Sequence, residues 1–392
     1  MKTIIKNGKV VTPAGILNAS VLIEDGKIAG IGEISAAADE TIDAEGSYVC
    51  PGFIDMHTHG AGGSDFMDGT VDAYLTASKM QARHGATLVF PTTLTSTNEE
   101  LFESFETYKK AVEANKEGAR FGGMHLEGPY FNPAQAGAQD PRYLRCPNDP
   151  KEYGEIMERA NGILKRWSFA PELDGAPEFA AAIKKQGILA SIGHTNATFD
   201  ECEAAYESGA THMTHFFSCM STIRRERGIR IPGVIEYGLF QKGMSIEIIA
   251  DGIHVPKNLL RLVLSVKGVE KIALVTDSMR GAGMPDGPSI LGSLKGGQPC
   301  DIGEGVAWMP DHTCFAGSAS TCDRLVRTMI NIAGCSVTDA IRMMCENPAR
   351  MMGIYDRKGS IAPGKDADIV IWNGDVQVQR TIINGNTVYN AN

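Results

Sequence analysis

Eight short apolar segments, each ending in polar or glycine-rich residues, recur along the middle of the chain. They cover residues 53–59, 86–93, 121–127, 167–173, 188–194, 210–217, 245–251 and 271–277. Their length and composition read as strands. Helical stretches separate most of them. Residues 98–114 start at a capping Asn98 and carry Leu101, Phe102, Phe105 and Tyr108 at helical spacing. Pro177 opens residues 178–186, and residues 199–208 and 258–266 follow the same logic. Two more helices, 321–333 and 338–347, come after the last strand. Eight strand–helix units specify an α/β chain folded as a (β/α)8 barrel of the TIM type. An open doubly wound sheet is the alternative. Against it, no G-x-G-x-x-G follows the first strand and no G-x-x-x-x-G-K-[ST] occurs anywhere.

The two ends have a different texture. Asn7-Gly8 and Asp25-Gly26 each lie between apolar segments, the strongest short hairpin signal. Asn373-Gly374 and Asn384-Gly385 repeat it near the other end. Short hairpins need a shared sheet to be stable. Residues 1–50 and 355–392 are therefore expected to form one small β-sandwich domain, and residues 51–354 the barrel.

The net charge of −10 argues against a nucleic-acid partner. No apolar run is long enough to cross a membrane, and the first residues lack a secretory apolar core. The nine cysteines include no Cys-x-x-Cys pair, which fits reduced thiols in a cytoplasmic protein.

In such a barrel, functional groups sit at the C-terminal ends of the strands. Those ends present His57, His59, Glu127, His194, His215, Asp251 and Asp277. His57 and His59 are two residues apart, so one strand face carries both. Four histidines and three acids on one rim are the ligand types of a metal centre. His254, in the turn Asp251-Gly252-Ile253-His254, can reach the same pocket. The other histidines read otherwise. His125 lies one pleat deeper than Glu127. The odd spacing of His212 from His215 puts it on the opposite face. His84 and His312 are expected in solvent. Gly60-Ala61-Gly62-Gly63 lacks the Lys of a phosphate loop and is expected to let the backbone pass near the metal. Gly317-Ser318-Ala319 is not a nucleophile elbow. Met343, Met344, Met351 and Met352 read as helix packing.

The motifs His57-Thr58-His59-Gly60, His125-Leu126-Glu127-Gly128-Pro129, Gly193-His194-Thr195, Thr214-His215, Ala250-Asp251-Gly252-Ile253-His254, Thr276-Asp277 and Ala316-Gly317-Ser318 occur in this order. The chain resembles the amidohydrolase superfamily, and within it the N-acetylglucosamine-6-phosphate deacetylases. The resemblance spans essentially the whole chain. It implies that Glu127, His194 and His215 hold one divalent metal, and that His57 and His59, helped by Glu127 and Asp277, hold a second. Zinc is the default for such ligands, with iron and manganese compatible. It further implies that Asp277 moves protons to and from water and leaving amine, and that His254 polarises the acetyl carbonyl.

For substrate binding, the resemblance points to Ala138, Gln139, Ser218, Cys219, Asp251, His254, Phe315, Ala316 and Gly317. It also points to Arg225, which in relatives reaches a neighbouring subunit's phosphate site, and so to a homodimer. Three departures touch this pocket. Ser218-Cys219 replaces Asn-Ala, Gln139 stands at a histidine position, and Ser278 replaces an alanine. Deacetylation of N-acetylglucosamine-6-phosphate is the expected reaction. An isomeric amino-sugar phosphate or another N-acyl or cyclic amide is the alternative. A non-catalytic binding barrel is a third reading, opposed by the complete ligand set.

Overall fold

A computed structural model of the chain describes residues 1–391. Eight parallel strands form the barrel: β1 (Phe53–Thr58), β2 (Ala86–Thr93), β3 (Met124–Glu127), β4 (Leu164–Phe169), β5 (Leu189–Ile192), β6 (His212–Met213), β7 (Ser245–Ile248) and β8 (Ile272–Leu274). Each pairs with the next in chain order. The ring nearly closes through a Thr58–Ser278 bridge and an Asp277 N–H donated to the His57 carbonyl at 2.9 Å. β1, β2 and β3 are buried along their whole length, and the polar side chains that the barrel strands do carry, such as Asp55, His125, Arg166 and Glu247, are buried with them.

One helix packs outside each strand: Val71–Arg83, Asn98–Ala114, Pro150–Ala160, Ala176–Lys185, Phe199–Ser208, Val234–Phe240, Lys257–Lys267 and Cys322–Thr328. Capping chemistry fixes where they begin. Thr97, not Asn98, caps the second. Its hydroxyl accepts the Glu100 N–H, and the Glu100 carboxylate accepts the Thr97 N–H. Thr198 and Glu201 repeat the device before Phe199–Ser208. The helix expected over 321–333 is α-helical to Thr328 and then widens to π geometry over Met329–Ala333.

Two strands are shorter than their apolar runs. The segment 121–127 breaks at Gly122-Gly123, where Gly123 takes φ +126°. The segment 210–217 pairs only over His212–Met213, because the chain then turns through left-handed backbone at His215 and Phe217. An unforeseen four-stranded antiparallel sheet follows β8: Gly287–Leu291, Gln298–Gly303, Val306–Trp308 and Phe315–Ser318. It folds over the barrel mouth and brings Leu291, Trp308 and Phe315 to the cavity.

Strands from both ends form one continuous eight-stranded sheet. Its order runs Asn386–Asn390, Val378–Ile383, Ile369–Trp372, Tyr48–Pro51, Lys2–Thr12, Gly15–Glu24 and Lys27–Gly32, with Glu40–Asp43 also on Lys2–Thr12. It encloses its own core, including Ile5, Val21, Val49, Ile369 and Ile382. Asp25-Gly26 and Asn384-Gly385 are hairpin turns as expected. Asn7-Gly8 is not. It is a bulge inside Lys2–Thr12, with Asn7 at φ +58°. A side chain on Gly8 would stand 2.5 Å from Val49, so the bulge needs glycine for close approach. Gly52 joins this sheet to β1, and a Cβ there would strike Thr87 at 2.2 Å.

Candidate metal centre and active site

The strand ends deliver their side chains to one point. The ligand-type atoms of His57, His59 and Asp277 lie within 4.8 Å of one another, and so do those of Glu127, His194 and His215. Glu127 joins the two groups. Its Oε1 lies 3.2 Å from His194 Nε2, 2.9 Å from His215 Nε2 and 3.6 Å from His57 Nε2. Its Oε2 lies 3.3 Å from His59 Nε2. Asp277 Oδ1 is 3.3 Å from His57 Nε2 and 3.1 Å from His59 Nε2. His194 and His215 bring their Nε2 atoms to 3.0 Å. His194, His215 and Asp277 all take positive φ, at 47°, 25° and 47°. Such backbone is uncommon for residues other than glycine, Asp and His being among those that adopt it most readily, and it clusters at functional sites.

These six residues fit a divalent metal. Four imidazole rings and two carboxylates converge with no counter-cation from Lys or Arg between them, and the buried His57 Nε2 has no hydrogen-bond partner. Nitrogen and carboxylate donors of this kind suit zinc, iron or manganese.

Neighbouring groups fix the ligands. Gln139 donates Nε2–H to Glu127 Oε2 at 2.8 Å, while its Oε1 accepts the Thr95 N–H. His194 Nδ1 meets the Gln135 carbonyl at 2.9 Å. Beneath the cluster, Glu247 Oε1 is 2.6 Å from His57 Nδ1 and accepts the His215 N–H at 2.9 Å. Arg166 donates to Glu247 Oε2 at 2.5 Å and to Thr214 at 2.9 Å. Glu247 and Arg166 are fully buried, and neither was read from the strand ends because both lie in mid-strand. A visible signal existed: a lone Glu between Ile246 and Ile248, and Arg166 between Lys165 and Trp167, each inside a barrel strand.

Burial disfavours the charged ring of His57, but Asp277, Glu247 and Glu127 outweigh it and push its pKa up to about 9. For His59, burial is likewise outweighed by hydrogen bonds to Asp277 and Glu127, giving about 10. Burial would raise the Glu127 and Asp277 carboxyls, yet the surrounding histidines hold both below their ordinary values. Without metal, both rings therefore carry protons at neutral pH, and loading must displace them. Zinc affinity is expected to rise with pH up to about 9 to 10. The charged pairs stabilise the chelated fold fully below the ordinary histidine value of about 6.5. That contribution is lost as pH rises through about 9 and 10. Zinc titrations and melting curves from pH 6 to pH 10 check both directions; a pH-independent affinity would exclude this proton competition.

A cavity of about 330 Å³ opens above the cluster. His59, Glu127, His194, His215 and Asp277 form its floor, and Ala138, Gln139, Ser218, Cys219, His254, Phe315 and Gly317 line its walls. Leu94, Phe217, Leu291, Trp308, Thr313 and Cys314 complete it and were not foreseen. Four expected residues lie elsewhere. His57 is buried below the floor. Asp251 turns away from the cavity and grips His254: it accepts the Ile253 and His254 N–H groups at 2.8 Å and faces His254 Nδ1 at 2.7 Å. Ala316, in the last strand of the mouth sheet, is buried in that sheet's own core with Met279, Ile302 and Ala307. Arg225 stands exposed on the hairpin Arg224–Glu226 and Ile229–Ile231, away from its own chain's cavity.

Of the remaining histidines, only His212 departs from the spacing argument. His125 lies below the floor, between Thr92 and Ser168, with its ring edge-on to His57. His212 also points inward, to Ser245 and toward Glu247, because the strand stops at Met213 and the period-two count no longer applies. His84 is not simply solvated; it pairs with Asp323 at 3.1 Å. His312 is exposed and stacks on Trp308. Gly60–Ala61 pairs with Ser64–Asp65, so Gly62 and Gly63, at φ +62° and +87°, form the turn of a tiny hairpin.

Residues 48–388 match the model of the amidohydrolase family. The chain belongs to that family. N-acetylglucosamine-6-phosphate deacetylase of Bacillus subtilis is 36% identical over 400 residues, covering 98% of this chain and 97% of that protein. N-acetylgalactosamine-6-phosphate deacetylase of Escherichia coli O157:H7 is 32% identical over 386 residues, covering 98% of this chain and 99% of that one. A mutant N-acetyl-D-glucosamine-6-phosphate deacetylase from Mycobacterium smegmatis, solved in complex with N-acetyl-D-glucosamine-6-phosphate, superposes with a TM-score of 0.90 at 30% identity, over 99% of each chain. Amidohydrolase membership implies a divalent metal, and the six converging side chains are candidate ligands for it.

Proposed function

We propose that this amidohydrolase removes the acetyl group from N-acetylglucosamine-6-phosphate, giving acetate and glucosamine-6-phosphate. The observation that carries the reading is the pair of candidate ligand triads at and just below the cavity floor, with Asp277 and His254 facing the same space. The full-length relatives supply the substrate class.

Glu127, His194 and His215 would hold one ion, and His57, His59 and Asp277, with Glu127, a second; zinc is the proposed metal. A bound ion supplies Lewis-acid activation of water near neutral pH. The protein's own groups do the rest. Asp277 is ionised and sits at the floor, so its carboxylate accepts the proton of the attacking water and returns it to the departing amine. Asp251 engages His254 Nδ1, which leaves Nε2 to face the acyl oxygen as negative charge develops there. Phe315 packs against the His254 ring with centroids 4.2 Å apart and fixes its plane. Leu94, Phe217, Leu291 and Trp308 limit water around the reacting centre.

The cavity lining contains no Lys or Arg, although the proposed substrate carries a phosphate. This supports a homodimer in which Arg225, projecting from the exposed hairpin, serves the neighbouring copy's cavity. Among alternatives, the galactosamine isomer has specific support: the E. coli relative named for it matches nearly as much of the chain. Ser218, Cys219 and Gln139 depart from the resembled pattern along the pocket lining, and Gln139 also holds Glu127.

The test is acetate release from the glucosamine phosphate, its galactosamine isomer and the unphosphorylated sugar, with chelated and zinc-restored enzyme. Metal-dependent preference for the glucosamine phosphate is expected. Arg225→Ala is expected to raise KM for the phosphorylated sugar by about 10- to 100-fold, the scale of one lost charge-assisted hydrogen bond. No turnover of any of the three by zinc-loaded enzyme would move the substrate outside this class.

A further inference from the structure

Glu247 is fully buried beneath the metal cluster and touches neither the cavity nor a metal position. Its neighbours define what it does. Arg166, equally buried, lies 2.5 Å from its Oε2 and keeps the carboxylate ionised; His212 Nε2 approaches the same oxygen at 3.5 Å. An ionised carboxylate only accepts hydrogen bonds. The His57 Nδ1 at 2.6 Å from Oε1 must therefore carry the proton. Once loading displaces the ring's second proton, Nε2 is therefore the nitrogen left with a lone pair, facing Asp277, His59 and Glu127, and this atom has no hydrogen-bond partner of its own.

The two triads depend on Glu247 unequally. His215 loses one main-chain bond if the carboxylate goes. The adjacent Phe216 N–H still donates to the Glu247 main-chain carbonyl at 2.8 Å, which no side-chain substitution removes. His57 has no other partner for Nδ1 among the described residues. Resting on the two-triad reading above, we propose that Glu247 is the positioning residue for the His57, His59 and Asp277 triad. It fixes the His57 tautomer and thereby governs occupancy of that triad alone, while the Glu127, His194 and His215 triad loads without it.

Zinc content and zinc titration against a competing chelator test this in the wild type, Glu247→Gln and Glu247→Asp. The Gln variant keeps the size but not the charge. The Asp variant keeps the charge and the Arg166 pair but draws the carboxylate back from His57, so it serves if the Gln variant does not fold. The wild type should bind two zinc ions. Each variant should hold one at wild-type affinity and the second about 10- to 100-fold more weakly. Cobalt substitution adds a spectroscopic readout, with the variants losing the absorption of one site only. Two ions bound at wild-type affinity would overturn the assignment. So would parallel weakening of both, which is what a merely structural role produces. A wild type that takes up only one ion would instead overturn the two-triad reading on which the assignment stands.

Discussion

Asp277→Asn should reduce kcat for amide hydrolysis by about 10²- to 10⁴-fold, the range of one general acid–base group. The side chain retains its size and an oxygen toward His57 and His59, which lie 3.3 and 3.1 Å from Asp277 Oδ1. It can no longer take a proton from water or deliver one to the amine. The zinc of the Glu127, His194 and His215 triad should stay, since none of those three needs Asp277. Steady-state kinetics beside metal analysis separate the two effects. A variant with wild-type kcat would remove Asp277 from the chemistry, and one devoid of zinc would make it a ligand first.

The second large effect concerns stability. Arg166→Met should destabilise the chelated protein by about 3–5 kcal/mol, the typical result of breaking a buried ion pair from one side. The variant leaves the Glu247 charge with no permanent cation and strips a donor from Thr214. The double variant Arg166→Met, Glu247→Leu should recover most of the loss, because no lone charge then stays buried. Denaturant midpoints measure both. A single-variant loss below about 1 kcal/mol would mean that water or His212 already solvates the carboxylate.

The barrel was legible because its signal is repeated: eight apolar runs separated by helical spacing cannot easily be anything else. The candidate metal ligands were legible for a related reason. They stand where the apolar runs stop, so one rule about strand ends brought these six together, and Asp251 with them. What escaped obeys no such rule. Glu247 and Arg166 find each other across the barrel from positions 81 residues apart. Asp251 was read as facing substrate, but the backbone turn that brings His254 to the pocket also folds Asp251 beneath it. His212 failed because alternation holds only while the strand lasts, and this one ends at Met213, four residues before the end of its apolar run, ahead of the left-handed backbone at His215 and Phe217. Trp308 arrives on a sheet whose short strands have no periodic signature. Asn7-Gly8 shows the limit of a local motif: the same dipeptide that turns a hairpin can bulge a strand when a partner strand lies on either side.

The sheet shared by the two ends imposes a timetable on synthesis. Tyr48–Pro51 pairs with Ile369–Trp372. At about 5–20 residues per second, the partner leaves the ribosome roughly 15–65 s later. During that interval Val49 and its neighbours, which end fully buried, have only the first hairpins to cover them. The barrel, whose strands pair strictly in order of appearance, can assemble as it emerges. The terminal sheet is completed last, after translation has all but ended, so ribosome-bound chains stopped before residue 369 should remain cleavable by protease within their first fifty residues.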